Sequence, residues 1–474
     1  MNWDEYARWG KEISGWGADY HKTIRDRPVR AQVAPGKIAA LLGDTPPEDG
    51  EDMSQIMQDF ERVVMPGITH WQHPRFFAYF PSNASPPAIL ADYLTSTMAV
   101  NSLLWQTSPA ATEMETRMMD WLRQAIGLPE GFAGVIQDSA SSATLAAVLT
   151  MRERALNWQG NSKGLSGMPR LRLYCSSDVH SSIDRAIWVA GLGDENMVRL
   201  QVDGQLRSVK PQAMRAAIER DIADGYRPAG IIASTGATGA GSCDNIQGII
   251  AIAKEFDLYL HVDAAWAGSA MICPEFRSLW HGVEGADSIV FNPHKWLGVQ
   301  FDCSAHFLKN PETLVRTLAI QPEYLKTHGQ DGLINYSEWS IALGRRFRAL
   351  KLWFLLRSYG LEQLRTRIRN HIKWSHIMAE SLRDTEGFEI VTEPILSLFT
   401  FRYAPAGISD LDALNQNLVD NINDDGRIYI TQTSIDGQKV IRFQVGQFDC
   451  TEDDITFAYD VICDMAHKIG AAHG

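Results

Sequence analysis

Residues 258–307 read LYLHVDAAWAGSAMICPEFRSLWHGVEGADSIVFNPHKWLGVQFDCSAHF. Two short apolar runs bracket this stretch. The first, Leu258–Val262, ends on Asp263, and the second, Ser288–Phe291, ends on Asn292-Pro293-His294-Lys295. Each is too short for a helix and is bounded by breakers, so both read as buried strands. Their polar residues fall at the carboxyl ends, where open α/β sheets bind ligands. A carboxylate and a lysine therefore reach one sheet edge.

Working outward, strand-like and helix-like segments alternate from about Pro86 to Gly360, the pattern of a doubly wound sheet. Gly134-Val135-Ile136 reads as a strand leading through Asp138–Thr144 into a helix over Leu145–Arg154. Leu171–Cys175 reads as a strand, followed by a loop to His180 and a helix from Ser181. Met214, Ala217, Ile218 and Ile222 mark one helical face; Ile246, Ile249, Ile250, Ala253 and Phe256 mark another. Between them, Gly230–Ser234 reads as a strand and Thr235–Gly241 as a glycine-rich turn. Beyond Lys295, Phe301–Leu308 reads as a strand and Gln321–Gly332 as a long lid-like loop. Gly344–Arg348 begins or extends a helix that runs through Trp353 and Leu356.

Before this region, Tyr6, Trp9, Ile13, Trp16 and Tyr20 share one helical face, and Met53, Ile56, Met57, Phe60, Val63 and Val64 share another. A proline-broken link joins them, and so little chain cannot bury both stripes. A second subunit is a natural cover. The expected parts are an amino-terminal helical segment (1–85), a large α/β domain (86–360) and a small carboxyl-terminal α+β domain (361–474).

Composition narrows the function. The 474 residues are 45% hydrophobic and 21% charged, enough for a large core without disulfides or metals. A net charge of −13 argues against nucleic acid or an anionic membrane as partner. Six scattered cysteines form no CxxC pair, which fits a reducing compartment. MNWDEYARWGKE carries acids and no apolar run, so no signal peptide is expected. No run approaches the ~20 apolar residues of a membrane span. A cytoplasmic protein is expected.

A strand-end lysine beside a strand-end acid suits pyridoxal phosphate (PLP), which needs a lysine for its Schiff base and an acid against its ring nitrogen. A metal at His261 and Asp263 lacks a third ligand at recognisable spacing, and no G-x-S-x-G elbow appears for a serine hydrolase. The small residues from Asp138 to Thr144 could offer helix N–H groups to a phosphate, or be an ordinary serine cap, the plainer reading of the residues alone. His180, read alone, is a solvated or capping loop histidine.

HVDAAWAGS (261–269) and FNPHKWL (291–297), in this order and spacing, resemble the PLP-dependent group II amino-acid decarboxylases, above all the aromatic-L-amino-acid decarboxylases. The likeness runs from HWQHPRFFAYFPSNAS (70–85) through GLINYSEWSIALGRRFRALKLWF (332–354) and fades after about Gly360. It implies PLP fold type I, the aspartate aminotransferase-like architecture, in a homodimer whose amino-terminal segment wraps the partner. It implies Lys295 as the Schiff-base lysine and Asp263 against the pyridine nitrogen, with Ala265 and His180 on the two ring faces. Ala140 through its backbone, Ser141, Asn292 and His294 would hold the phosphate, with Thr238 near the ring. Ser142 departs from the acid that the family often carries there.

For the substrate, the resemblance implies Trp71, Tyr79 and Phe80 as pocket walls, and Leu103 as a contribution from the neighbouring subunit. Gly344 aligns with a position linked to indole against phenol preference. Tyr324 on the lid, or His180, would donate the proton. The implied reaction is decarboxylation of an aromatic L-amino acid (Trp, Tyr, Dopa or Phe) to the arylalkylamine and CO2. An aldehyde synthase and a non-catalytic PLP-fold scaffold are the alternatives. Tyr324, where synthases tend to carry Phe, argues against the first. Intact Lys295, Asp263 and His180 argue against the second.

Overall fold

The computed structural model describes residues 1–320 and 332–473. Tyr324 and the expected lid up to Asp331 lie outside the described residues. The chain divides into two compact units: 1–81 with 374–391 and 400–474, and 82–373 with 392–399.

The first unit opens with helix α1 (Trp3–Thr23). Asn2 caps it by accepting from the Asp4 and Glu5 amides, while Glu5 accepts from the Asn2 amide, so two free N–H groups of the first turn and that of the cap residue are matched. Despite its apolar stripe, α1 buries no residue. Helix α2 (Met53–Asp59) continues through a wide turn over Phe60–Val64 and stops at Pro66-Gly67, as the sequence predicts.

The second unit is built on a seven-stranded sheet. Helices α3 (Pro86–Met98) and α4 (Pro109–Ile126) precede β1 (Ala133–Gln137). Helix α5 (Ala140–Ala155) and the short α6 (Gly160–Lys163) lead to β2 (Leu171–Ser176) and α7 (Ser181–Val189). Strand β3 (Met197–Leu200) is followed by a ribbon of β4 (Val202–Asp203) and β5 (Ser208–Val209), then α8 (Pro211–Ala223). Next come β6 (Arg227–Ser234), α9 (Ile246–Glu255), β7 (Tyr259–Asp263), β8 (Ser288–Phe291), β9 (Ser304–Leu308) and α10 (Pro311–Leu318). Helix α11 (Ala349–Arg383) carries the chain out of this unit, broken at Gly360 where φ is +63°.

The strand order is β1-β9-β8-β7-β6-β2-β3. Within it β9 alone runs antiparallel to both neighbours, so the other six strands share one direction. Strands β7 and β8 are buried along their whole length, which explains their unbroken apolar runs. One core lies where α5 and α7 cover β2 and β6, around Val148, Met151, Leu173, Ile183, Ile187 and Ile232.

The first unit resumes after α11 with a second sheet in the order β10-β11-β13-β12. Its strands are β10 (Phe388–Ile395), β11 (Leu398–Tyr403), β12 (Thr431–Ile435) and β13 (Gln438–Gln444), with α12 (Leu411–Asp425) and α13 (Glu452–His473). The tip of the first hairpin, 392–399, groups with the second unit. Asp454, almost fully buried, ties this unit together by accepting from Arg25 at 2.8 Å and Arg75 at 3.0 Å.

Three local expectations are corrected. The helix after β1 starts at Ala140, not Leu145, because Ser139 caps it and Ala140, Ala143 and Thr144 are buried. Strand β9 begins at Ser304 rather than Phe301. Gly344–Arg348 precedes α11 instead of belonging to it, its arginines being held by side chains elsewhere in the unit.

Candidate active site

Five same-direction strands deliver the predicted cofactor residues to one sheet edge. The carboxyl end of β1 feeds Ser139–Ser141, β2 feeds His180, β6 feeds Thr238, β7 ends on Asp263, and β8 runs into Asn292 and Lys295. The pairing keeps these ends level: Ser234 lies opposite Asp263, and Asp263 opposite Val290. Hydrogen bonds continue past the strands, from Thr235 N to Asp263 O at 2.9 Å and from Asn292 N to Ala265 O at 2.8 Å.

Lys295 occupies a single wide turn, Pro293–Leu297, closed by Gly298 at φ +99°. Its amide bonds Asn292 O at 2.9 Å. Residues 83–85 staple the turn from outside. The Asn83 amide donates to His294 O at 3.1 Å, its side chain to Lys295 O at 2.8 Å, and the Ser85 amide to Gly298 O at 3.1 Å. Next door, Trp296 is fully buried, stacks on Trp266 at 5.0 Å and donates to His371 at 2.9 Å. The backbone is pinned on both sides while the lysine side chain stays half-buried.

Asp263 is buried, and one carboxylate oxygen accepts the Ala265 amide at 3.0 Å. No other hydrogen bond reaches that carboxylate among the described residues, so its second oxygen is available to a ring N–H. His180 caps α7: its Nδ1 accepts the Ser182 amide at 3.1 Å, which leaves the proton on Nε2. Surrounding protein lowers its pKa by desolvation; the Asp263 carboxylate opposes this and the Lys295 charge adds to it. The three side chains thus share one electrostatic neighbourhood.

At the other end, Ser139 accepts the Ser142 amide at 3.2 Å, and the Ala143 amide closes on Ser139 O. The amides of Ala140 and Ser141 have no partner among the described residues, an anion site at the start of a sixteen-residue helix. Ala140, Ala143, Val290 and Ala265 pack together, which sets this helix end beside the β7 and β8 ends. Asn292 Oδ1 accepts from Ser304, leaving its amide to donate outward. His294 is pushed down to about 3, first by burial and then by the Lys295 charge. Its Nδ1 accepts the Cys303 amide at 3.0 Å, so neutral His294 presents Nε2–H. Thr238 stands half-exposed in a turn closed by Ser242 O, which accepts the Gly236 and Ala237 amides. Gly236 is required there: its φ is +78°, and a Cβ would lie 2.4 Å from that of Ala267.

Amine, uncommitted carboxylate oxygen, neutral imidazoles and open helix amides are the donor set that PLP requires, so the residues fit it.

The substrate-side residues fall in two groups. Leu103 and Gly344 come together: Leu103 O accepts the Ser337 amide at 3.1 Å, and Asn101 and Ser102 bond Arg345. Among the described residues, a Cβ built on Gly344 would meet only Asn101, at 3.8 Å. Trp71, Tyr79 and Phe80 belong to the first unit. There Trp71 stacks on Tyr79 at 5.8 Å, the Tyr79 and Tyr429 hydroxyls are 3.3 Å apart, and Arg442 lies 5.4 Å from the Phe80 ring. Tyr79 holds a left-handed backbone, φ +46°.

Sequence reading missed Asn83, which the SNAS run hinted at through a small polar residue among aromatics. It also missed the buried Glu115–Arg345 ion pair, for which no local signal exists.

With this geometry in view, the likeness to known proteins is specific. Residues 35–404 match the pyridoxal-dependent decarboxylase conserved domain, past the point where the motifs fade. Aromatic-L-amino-acid decarboxylase of Sus scrofa is 40% identical, over 100% of this chain and 98% of that protein. Phenylacetaldehyde synthase of Arabidopsis thaliana is 37% identical, over 98% and 96%. The crystal structure of Oryza sativa TDC with PLP and tryptamine superposes with a TM-score of 0.95 at 33% identity, covering 99% of both chains. The architecture is PLP fold type I, and the chain belongs to the pyridoxal-dependent decarboxylase family.

Proposed function

We propose that this enzyme removes the α-carboxylate of an aromatic L-amino acid, giving the arylalkylamine and CO2. The observation that carries the reading is the convergence of Lys295, Asp263, His180, Thr238 and the α5 amides at one sheet edge. When bound, PLP supplies the electron sink into which the Cα–carboxylate bonding pair moves as CO2 leaves. Lys295 anchors the cofactor, and Asp263 keeps a proton on the ring nitrogen by placing a negative charge beside it. His180 and Ala265 flank the ring. Ala140, Ser141, Asn292 and His294 donate to the phosphate, and Thr238 contacts the ring.

Trp71, Tyr79 and Phe80 are assigned to the aromatic pocket, with Leu103 contributed by the neighbouring subunit and Gly344 leaving room for an indole. Tyr324 donates the proton that replaces the carboxylate. The enzyme acts as a homodimer, supported by a 21-residue amphipathic α1 of which no residue is fully buried within one chain. Six unpaired thiols fit a reducing cytoplasm.

The test is product analysis with Trp, Tyr, Dopa, Phe, His and Glu, together with borohydride reduction and peptide mapping. Aromatic amines with stoichiometric CO2 and a label on Lys295 are expected. Turnover confined to Glu or His, or a label on another lysine, would refute the assignment.

A further inference from the structure

Asp178 lies two residues before His180, and its carboxylate joins three segments far apart in sequence. Arg207, on the β4–β5 ribbon, donates from Nε to Oδ2 at 2.8 Å and from Nη2 to Oδ1 at 3.4 Å. Ser242, at the end of the turn after β6, donates its hydroxyl to Oδ2 at 2.6 Å. Within its own loop, Ser177 donates to Oδ1 at 3.3 Å and the Asp178 amide bonds Ser176 at 3.2 Å. The ion pair is largely withdrawn from water, with side chains 13% and 15% exposed.

Two of the segments carry site residues. Ser242 O closes the turn that holds Thr238, and the loop of Asp178 ends on His180. The ribbon supplies only the clasp: Leu206 O accepts the Cys243 amide at 2.9 Å, and the Ser208 hydroxyl accepts the Asn245 amide at 2.8 Å. Arg207 itself holds a left-handed backbone, φ +48°, which a long side chain seldom adopts. A conformation of that kind persists where surrounding contacts over-determine it, as the bidentate pair and the Arg207 N to Gly204 O bond do here.

We propose that Asp178, Arg207 and Ser242 form a lock that fixes the His180 loop and the Thr238 turn against each other, making them positioning residues for the cofactor pocket. A half-buried carboxylate with charged and neutral donors holds its geometry far better than either loop could alone. The proposal rests on the assignment of His180 and Thr238 to the cofactor.

The test uses the full-length protein stripped of cofactor and titrated with PLP. Visible absorbance reads affinity. Circular dichroism induced in the bound cofactor reads ring placement, which a loss of stability alone does not move. Arg207→Gln is expected to weaken PLP binding about tenfold and Ser242→Ala about threefold, each with reduced induced dichroism at saturation. Arg207→Lys should recover part of the loss, and Asp178→Asn with Arg207→Gln should be no weaker than the weaker single variant. Wild-type affinity and dichroism in Arg207→Gln and Ser242→Ala, or additive losses in the double variant, would overturn the lock. Should Asp178→Asn not fold, Ser242→Ala decides, since it removes one hydroxyl only. A parent protein giving no PLP band would instead refute the cofactor assignment, and the lock with it; a normal parent with unaffected variants refutes the lock alone.

Discussion

The carbonyls of His294 and Lys295 find their donor in a residue more than two hundred positions away. Asn83 supplies both its amide and its side chain, and it is fully buried. Replacing it by alanine removes the side-chain donor while the Lys295 carbonyl stays inside. Such a loss costs about 1–3 kcal/mol. Asn83→Ala should therefore unfold at lower urea and lose at least about tenfold in kcat/KM as the lysine turn loosens. Steady-state kinetics and a urea titration on one preparation check both; unchanged kinetics would confine Asn83 to structure. Tyr324 poses a separate question of product identity. A phenol of reference pKa ~10 is a usable acid where water is excluded, and phenylalanine keeps the ring while removing the proton. Without that proton the electron-rich carbon has time to meet O2. The amino acid, O2 and water then give aldehyde, CO2, ammonia and hydrogen peroxide. Tyr324→Phe should raise peroxide and aldehyde at the expense of amine. Full amine yield without peroxide under air would remove the role.

Strand β1 brings the Ser139–Ser141 turn, proposed above for the phosphate, into place, and a buried ion pair sets β1. Arg345 bonds Glu115 with both terminal nitrogens, at 3.0 and 2.6 Å, and Ile136 O at 2.8 Å, while Glu115 accepts the Ile136 amide at 2.8 Å. Both side chains are 2% exposed. Breaking one side leaves an unpaired buried charge, so Glu115→Gln should destabilise by about 3–5 kcal/mol, measurable as a lower urea midpoint. Burial sets the acid response as well. Burial first, with Arg75 adding for His73 and Lys295 for His294, holds His73, His294 and His306 near pKa about 3, and burial followed by the neighbouring His306 holds His261 well below its ordinary value. A folded pKa below the unfolded ~6.5 means that stability is complete above pH 6.5 and lost as pH falls towards 3. The slope is about 1.4 kcal/mol per pH unit for each histidine. Asp244, raised to about 6 by burial, acts in the opposite sense between about 6 and 4 and offsets one of them. The apoprotein's urea midpoint should drop between pH 7 and 5; a flat profile would contradict this. Strands β7 and β8 were legible in sequence because burial on both faces leaves an apolar run between breakers. Strand β3 and the β4–β5 ribbon were not, since they are half-exposed and fixed by distant partners such as Asp178 and Cys243. The start of α5 was hidden because Ser141, Ser142 and Thr144 favour loops locally, and packing against Val290 overrides that preference.

At the scale of the molecule, each unit keeps apolar surface that a single chain leaves in water. In the first unit Trp3 is 79% exposed and Ile13 44%, and no residue of α1 is fully buried, although Trp16 packs on Phe60. In the second, α3 exposes Ile89, Leu90, Tyr93, Leu94 and Met98 along one side. Sedimentation should give twice the mass of one chain. Removal of residues 1–65 should yield aggregated or inactive protein, whereas an active, well-behaved monomer would exclude the wrapped dimer. Motif spacing brought Lys295 and Asp263 to one sheet edge, but it could not supply such surfaces with a partner, because periodicity records an apolar face and not what covers it. The parallel arrangement of β1, β2, β6, β7 and β8 carries a consequence for how the protein is made. The groups proposed to bind the cofactor run from Ala140 to Lys295 in sequence and meet only when five strands have docked through long crossovers. If Lys295 is the Schiff-base residue proposed above, no nascent fragment ending before it can hold the cofactor covalently, and PLP cannot act as an early template. Contacts so distant along the chain form slowly. A ribosome-bound intermediate would expose the apolar β7 and β8 edges until the lysine emerges, and overexpression should reward slower synthesis more than added PLP.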